Sequence, residues 1–177
     1  MISSTVSPTY MRDLAKRIGR TALLDAPLCR GEVAAEKGNL LVMGGGEAET
    51  FEACRPVFAA FSDSIHYLGP VGAGQVGKMV NNLILWACIS VNDEGLKLAR
   101  NLGVEQEPLR QALLKSSAQN WPLETLLLQR DMPWAEKDMM IVLAEADTAG
   151  ISLPLCGSIK EVIKGIKIER RKRVSGT

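Results

Sequence analysis

Gly72-Ala73-Gly74-Gln75-Val76-Gly77-Lys78-Met79-Val80-Asn81-Asn82 decides how the chain is read. Its first six residues fit G-x-G-x-x-G and follow an apolar run, Ile65 to Leu68, closed by Gly69-Pro70. Asp93 stands about twenty residues on, where a dinucleotide-binding βαβ unit places the acid that holds a ribose. Such a unit needs a second parallel strand after its helix, with the acid at that strand's end. Here the helical period runs straight through Asp93 to Asn101, and Gly103 supplies the stop. The classical dinucleotide reading of this motif is set aside on that ground. The plain alternative is glycines that permit a tight turn and close packing.

Lys78, Asn81 and Asn82 stand in the first turns of a helix that is otherwise apolar, and Lys78 and Asn82, four apart, share one face. Desolvation and the positive end of the helix dipole disfavour a charged lysine there, which brings its pKa toward the range of an acid–base catalyst. A second reading stays open: Lys78 reaches out to water and the asparagines cap buried backbone.

Before this stretch, short apolar runs alternate with helical patterns. Ser7-Pro8 caps a helix in which Met11, Leu14, Ala15 and Ile18 recur at helical spacing. Thr21 to Leu24, Asn39 to Met43 and Ile65 to Leu68 read as strands, and Leu28 to Gly38 as an irregular loop. A helix from Glu47 to about Phe61 is expected to bury Phe51, Cys54, Val57, Phe58 and Phe61. The alternation predicts the edge of an α/β sheet over residues 1–70. Past Gly72 the strand signals vanish. Helices are expected over Ala73 to Asn101, Gln106 to Lys115, Pro122 to Arg130, Trp134 to Ala149 and Pro154 to Arg170, an all-α domain over residues 71–173. From Met79 to Val91 the long helix is apolar around nearly its whole circumference, so its own bundle or a second subunit must cover it.

Composition narrows the function classes. The chain has 177 residues, with 21 Lys and Arg against 20 Asp and Glu, a net charge of +1 that argues against a surface built for nucleic acid or anionic lipid. The four cations from Arg170 to Arg173 read as a solvated helix end. No apolar run approaches the roughly 18 residues of a bilayer span, and no signal peptide is recognisable. Cys29, Cys54, Cys88 and Cys156 are scattered and His66 is the one histidine, so neither a disulfide frame nor a metal site is expected, and a cytoplasmic setting is.

Gly72-x-Gly74-x-x-x-Lys78-x-x-Asn81-Asn82 resembles the signature of the β-hydroxyacid dehydrogenases, which include 3-hydroxyisobutyrate and 6-phosphogluconate dehydrogenases. Asp25-Ala26-Pro27-Leu28-Cys29-Arg30-Gly31 is similar to that family's D-A-P-V-S-G-G loop, and Gly38-Asn39-Leu40-Leu41-Val42-Met43-Gly44-Gly45 to its G-T-L-x-x-M-x-G-G strand. Ser4-Thr5-Val6-Ser7-Pro8 resembles its S-T-x-S-P segment, and Lys137-Asp138 a later Lys-Asp pair. These motifs occur in register from about residue 3 to 160.

The resemblance implies the last part of a Rossmann-type domain followed by a helical domain like the C-terminal one of 6-phosphogluconate dehydrogenase. It implies an oxidoreductase that passes a hydride between NAD or NADP and a small 3-hydroxy acid. The homodimer or larger assembly expected here rests instead on the apolar circumference of the helix from Met79 to Val91. Lys78 takes the role of general acid–base. Asn82 orients the substrate, and Cys29, Arg30 and Gly31 cradle its carboxylate. Thr5 and Lys137 lie near the cofactor. The chain departs from the family pattern at Cys29 and Arg30, where the family has serine and glycine, and a thiol is the poorer hydrogen-bond donor. The pattern also starts inside the family's own, past its strand–G-x-G-x-x-G–helix half. Weak or absent dinucleotide binding by the chain alone is therefore expected, and a catalytically inactive oligomerisation module of the same fold is the alternative reading.

Overall fold

The computed structural model describes residues 1–126 and 132–175, with side chains described as far as residue 172. They divide into two compact units, Met1–Asn81 and Asn82–Thr177, and one helix runs through the division.

In the first unit, α1 (Pro8–Ile18) starts where the Ser7 hydroxyl accepts from the Tyr10 N–H and proline fills the first helical position. It buries Met11. A three-stranded sheet follows, in the order β1 (Leu28–Cys29), β2 (Leu40–Gly45), β3 (Ser62–Gly69). β1 pairs antiparallel with β2, placing Leu28 opposite Val42. β3 pairs parallel with β2, Val42 facing Ile65, and α3 (Ala48–Ala59) makes the crossover between them. Leu24, Ala26, Val42, Phe51 and Phe58 form the core, with the Phe51 ring 5.2 Å from Phe58 and 5.3 Å from Tyr67.

Three local expectations need correction. Thr21 to Leu24 is not a strand: Thr21 and Ala22 face water, and pairing begins only at Asp25, which bridges Ile2 and Gly45. The expected loop from Leu28 to Gly38 contains β1 and a short helix, α2 (Gly31–Glu36), because β2 supplies a pairing partner that local sequence does not reveal. Val57, expected in the core, is 58% exposed; the inward face of α3 is carried by Phe51 and Phe58, one heptad apart.

Every element wholly within the second unit is a helix among the described residues: α5 (Gln106–Leu113), α6 (Trp121–Glu124), α7 (Ala135–Ala149) and α8 (Pro154–Ser175). α4 (Ala73–Asn101) enters it with the bounds expected from the sequence. α6 is shorter than the helix expected over 122–130; the Asn120 side chain caps it, and 127–130 lie outside the described residues. Trp86 and Ile89 of α4, Met139 and Val142 of α7, and Ile159 and Ile163 of α8 are buried. The opposite side of α4 is open: Ile84 is 59% exposed, and Val91 and Leu98 62% each. Among the described residues no helix is long and apolar enough to cross a membrane.

Candidate functional site

α4 begins where Asp25 ends its start. The Asp25 carboxylate, fully buried, accepts from the Gly72 N–H at 2.7 Å and the Gln75 N–H at 2.8 Å, so a negative charge closes two of the helix's unpaired donors. Gly72 takes φ +94°, a turn that favours glycine. Gly74 packs so closely that a Cβ would stand 2.5 Å from the Met43 carbonyl oxygen and 2.9 Å from that of Asp25. Gln75, also fully buried, accepts from the Val6 N–H at 3.1 Å and donates to the Ser4 carbonyl at 2.9 Å, which ties the segment carrying Thr5 to the helix.

This geometry bears directly on the G-x-G-x-x-G pattern. A pyrophosphate needs free N–H groups at the helix start. Here the Asp25 carboxylate holds them, and its charge repels a second anion. The Gly72–Gly77 turn does not fit a dinucleotide; its glycines serve the contact between helix and sheet.

Six residues into α4, the half-buried Lys78 ammonium donates to the Leu28 carbonyl at 2.7 Å and lies 3.7 Å from the Cys29 sulfur. Lys78 forms no ion pair among the described residues. Cys29 is buried, and burial pushes its thiol pKa up, outweighing the opposite pull of Lys78 and then of Arg30. The sulfur beside Lys78 is thus held as a neutral thiol. Arg30 and Gly31 take left-handed backbone conformations, φ +84° and +75°, turning the chain from β1 into α2. The Arg30 guanidinium is turned to Asp63 and to the Asn39 carbonyl at 2.9 Å.

Asn82 belongs to the second unit, where its buried side-chain amide donates to Asp138 at 2.8 Å. The Trp86 indole donates to the same carboxylate oxygen at 3.3 Å, and the Lys137 ammonium stands 3.9 Å from the other. Of the residues singled out from the sequence, Lys78, Cys29, Arg30, Gly31 and Thr5 lie in the first unit, and Asn82 and Lys137 meet at Asp138 in the second. Sequence reasoning missed Asp25 and Gln75 as buried anchors and Asp138 as the carboxylate that orients Asn82. The Lys-Asp and D-A-P motifs contained two of them, without a signal that they were buried.

A cavity of about 300 Å³ in the second unit holds none of these residues. Among the charged residues that line it, Lys97 pairs with Asp93 and Glu169, and Arg110 with Glu107. Among the described residues no cluster of His, Cys, Asp and Glu converges to hold a metal ion.

Two family models match in succession: one described as the NAD binding domain of 6-phosphogluconate dehydrogenase over residues 1–69, and one described as NAD-binding of NADP-dependent 3-hydroxyisobutyrate dehydrogenase over 72–173. An NAD-dependent L-serine dehydrogenase of Pseudomonas aeruginosa is 40% identical over 123 residues, covering 68% of this chain and 41% of that protein. An uncharacterized oxidoreductase of Shewanella frigidimarina is 33% identical over 181 residues, covering 96% of this chain and 62% of that protein. The solved 3-hydroxyisobutyrate dehydrogenase of Mycobacterium tuberculosis, with L-serine, superimposes with a TM-score of 0.79 at 26% identity, over 92% of this chain and 62% of the other. The chain thus spans less than two thirds of the length of these relatives.

Proposed function

The chain belongs to the β-hydroxyacid dehydrogenase family, and from that premise we propose that it forms the substrate-binding and proton-handling part of an NAD(P)-dependent dehydrogenase of small 3-hydroxy acids. The observation that carries the reading is the Lys78 ammonium held at the Leu28 carbonyl beside Cys29. NAD or NADP, when bound, would supply the hydride chemistry at the carbon bearing the hydroxyl. Lys78 manages the accompanying proton: as the neutral amine its Nζ receives the hydroxyl proton when substrate is oxidised, and as the ammonium it gives one back in the reverse direction. The Leu28 carbonyl restrains the amine. Asn82, oriented by Asp138, holds the substrate oxygen. The loop at Cys29, Arg30 and Gly31 faces the carboxylate through its backbone, since the Arg30 side chain is committed to Asp63. Thr5 and Lys137 would lie near the cofactor.

The β2–α3–β3 parallel unit supports taking residues 1–70 as the closing part of a Rossmann-type domain, with residues 71–173 as the helical domain. Four free cysteines support a reducing, cytoplasmic setting. The apolar outer face of α4 supports a homodimer or larger.

The test joins the chain in cis to the dinucleotide-binding segment of the Pseudomonas relative and follows oxidation of L-serine or 3-hydroxyisobutyrate by the absorbance of reduced nicotinamide. Lys78→Ala should lower turnover about 10²- to 10⁴-fold with cofactor affinity nearly unchanged. Retention of more than about a tenth of the rate removes Lys78 from this role. The 177-residue chain by itself should bind NADH or NADPH no tighter than millimolar, because Asp25 already occupies the start of α4. A micromolar constant by calorimetry overturns that reading of the glycine turn.

A further inference from the structure

Lys78 and Cys29 bring an amine and a thiol to one place, and the dehydrogenation put forward above uses only the amine. The Cys29 sulfur lies 3.7 Å from the Lys78 nitrogen, and the Leu28 carbonyl accepts from that nitrogen at 2.7 Å, which fixes where it stands. Cys29 is buried and paired with Leu41 in the sheet, whereas Lys78 is half-buried and the more open of the two. Cys156, the other buried cysteine, lies against the carbonyl and sulfur of Met139 instead. A thiol is far more nucleophilic than a hydroxyl of similar shape, so Cys29 adds a reactivity that serine at this position lacks.

Oxidation of a 3-hydroxy acid with a primary hydroxyl, such as L-serine or 3-hydroxyisobutyrate, leaves an aldehyde at the carbon that carried the hydroxyl. A group that takes the hydroxyl proton stands beside that carbon. A neutral lysine amine condenses with an aldehyde. The nitrogen–carbon bond forms, and the aldehyde oxygen leaves as water with the two amine protons, giving an imine. The Cys29 sulfur then adds to the imine carbon. A carbon–sulfur bond forms, the C=N π pair moves to nitrogen, and the thiol proton joins it there. One carbon now bridges Nζ and Sγ, and neither step needs an oxidant or a reductant. Holding the thiol beside the imine makes the second step intramolecular, where well-oriented groups reach effective molarities of about 10⁵ M or more. Burial keeps the thiol protonated, so its proton is available to the imine nitrogen.

We propose that Lys78 and Cys29 form a covalent capture site for small oxo acids, an aldehyde carbon closing an N,S-acetal bridge between the two side chains. The choice of aldehyde rests on the proposed function, and the bridge rests on the pair alone. Capture occupies the amine that handles the proton, so accumulated aldehyde product shuts the site.

The probe is glyoxylate, an aldehyde with a carboxylate, added to the 177-residue chain without dinucleotide. With the aldehyde carbon labelled with ¹³C, the chain should show a protein-bound resonance in the saturated-carbon range, lost in Cys29→Ser and in Lys78→Arg. Cyanoborohydride reduces an imine but not the bridge. Peptide mass spectrometry should therefore find more reductive label at Lys78 in Cys29→Ser than in the unaltered chain, with circular dichroism unchanged. A missing resonance, with Lys78 labelled equally in both chains, overturns the bridge and leaves the proton role of Lys78 standing. A Lys78 that takes no label in either chain is closed to oxo acids, which overturns the capture site and that role together.

Discussion

Asp25→Asn tests the anchor of α4 with little change in shape. The carboxylate is fully buried and serves two backbone donors, Gly72 N–H at 2.7 Å and Gln75 N–H at 2.8 Å. Asparagine keeps one acceptor oxygen and sets an NH₂ where the other stood, so one of the two donors faces a donor. A hydrogen bond to a charged group contributes about 1.5–3 kcal/mol net, and a buried polar group left without a partner costs about 1–3 kcal/mol more. The expected loss is therefore about 2.5–6 kcal/mol, a large part of the roughly 5–15 kcal/mol that holds a domain folded. The crowding around the site leaves little room for relief: a Cβ on Gly45 would lie 2.7 Å from an Asp25 carboxylate oxygen, and one on Gly74 2.9 Å from the other. The assay is urea unfolding followed by the ring-proton resonance of His66, the one histidine in the chain, which lies on β3 of the first unit. A variant within about 1 kcal/mol of the parent refutes the reasoning, since it means that the two N–H groups find other acceptors.

Gly44→Ala should destabilise the first unit by more than the usual 1–3 kcal/mol of core overpacking, because its Cβ would overlap an edge carbon of the Phe51 ring, which is fully buried against Phe58 and Tyr67. Coupling to Phe51→Leu in a double-mutant cycle checks the cause, and additive effects refute it. Alkylation of Cys29 in the native protein should have a pH profile displaced to the alkaline side of an ordinary thiol, and Lys78→Met should displace it further by removing the cation that lowers it; a profile at the ordinary position contradicts burial as the dominant effect. The Lys97 pKa is raised, first by its hydrogen bond to Asp93 and also by that to Glu169. The stabilisation from this α4–α8 contact should be fully present below the ordinary lysine pKa and lost as pH climbs through the raised value, so thermal melts of the parent and of Lys97→Met should converge at strongly alkaline pH. Melts that differ by a constant amount across that range refute the assignment.

Local signals sufficed where local physics decides. α4 was legible from Gly72 to Gly103 because a 29-residue helix has glycines just outside both ends and an unbroken period between. α1 was legible from its Ser-Pro start. The failures are all nonlocal. β1 exists because β2 pairs with it, and Val57 lost its place in the core because Phe51 and Phe58 already fill the side facing the sheet. The site divides in the same way. Lys78 and Asn82 stood out as polar residues in an apolar helix. Their partners Leu28 and Asp138 lie 50 and 56 residues away in the chain. Asp25 looked like part of a turn; its burial depends on contacts with Gly72 and Gln75, far beyond any window of periodicity.

α4 belongs to both compact units without a break, and the aromatic residues are unevenly divided across it. Trp86, Trp121 and Trp134 all lie beyond Asn81, and Tyr10 and Tyr67 both lie before it. Indole and phenol emission are therefore two separate optical reporters already built into the unmodified chain. A helix is cooperative along its length, so losing the first unit frees the opening turns of a helix whose remaining turns are still packed by the second. The gap between the tyrosine and tryptophan denaturation midpoints then measures how far order in one unit is transmitted to the other through the backbone of a single helix.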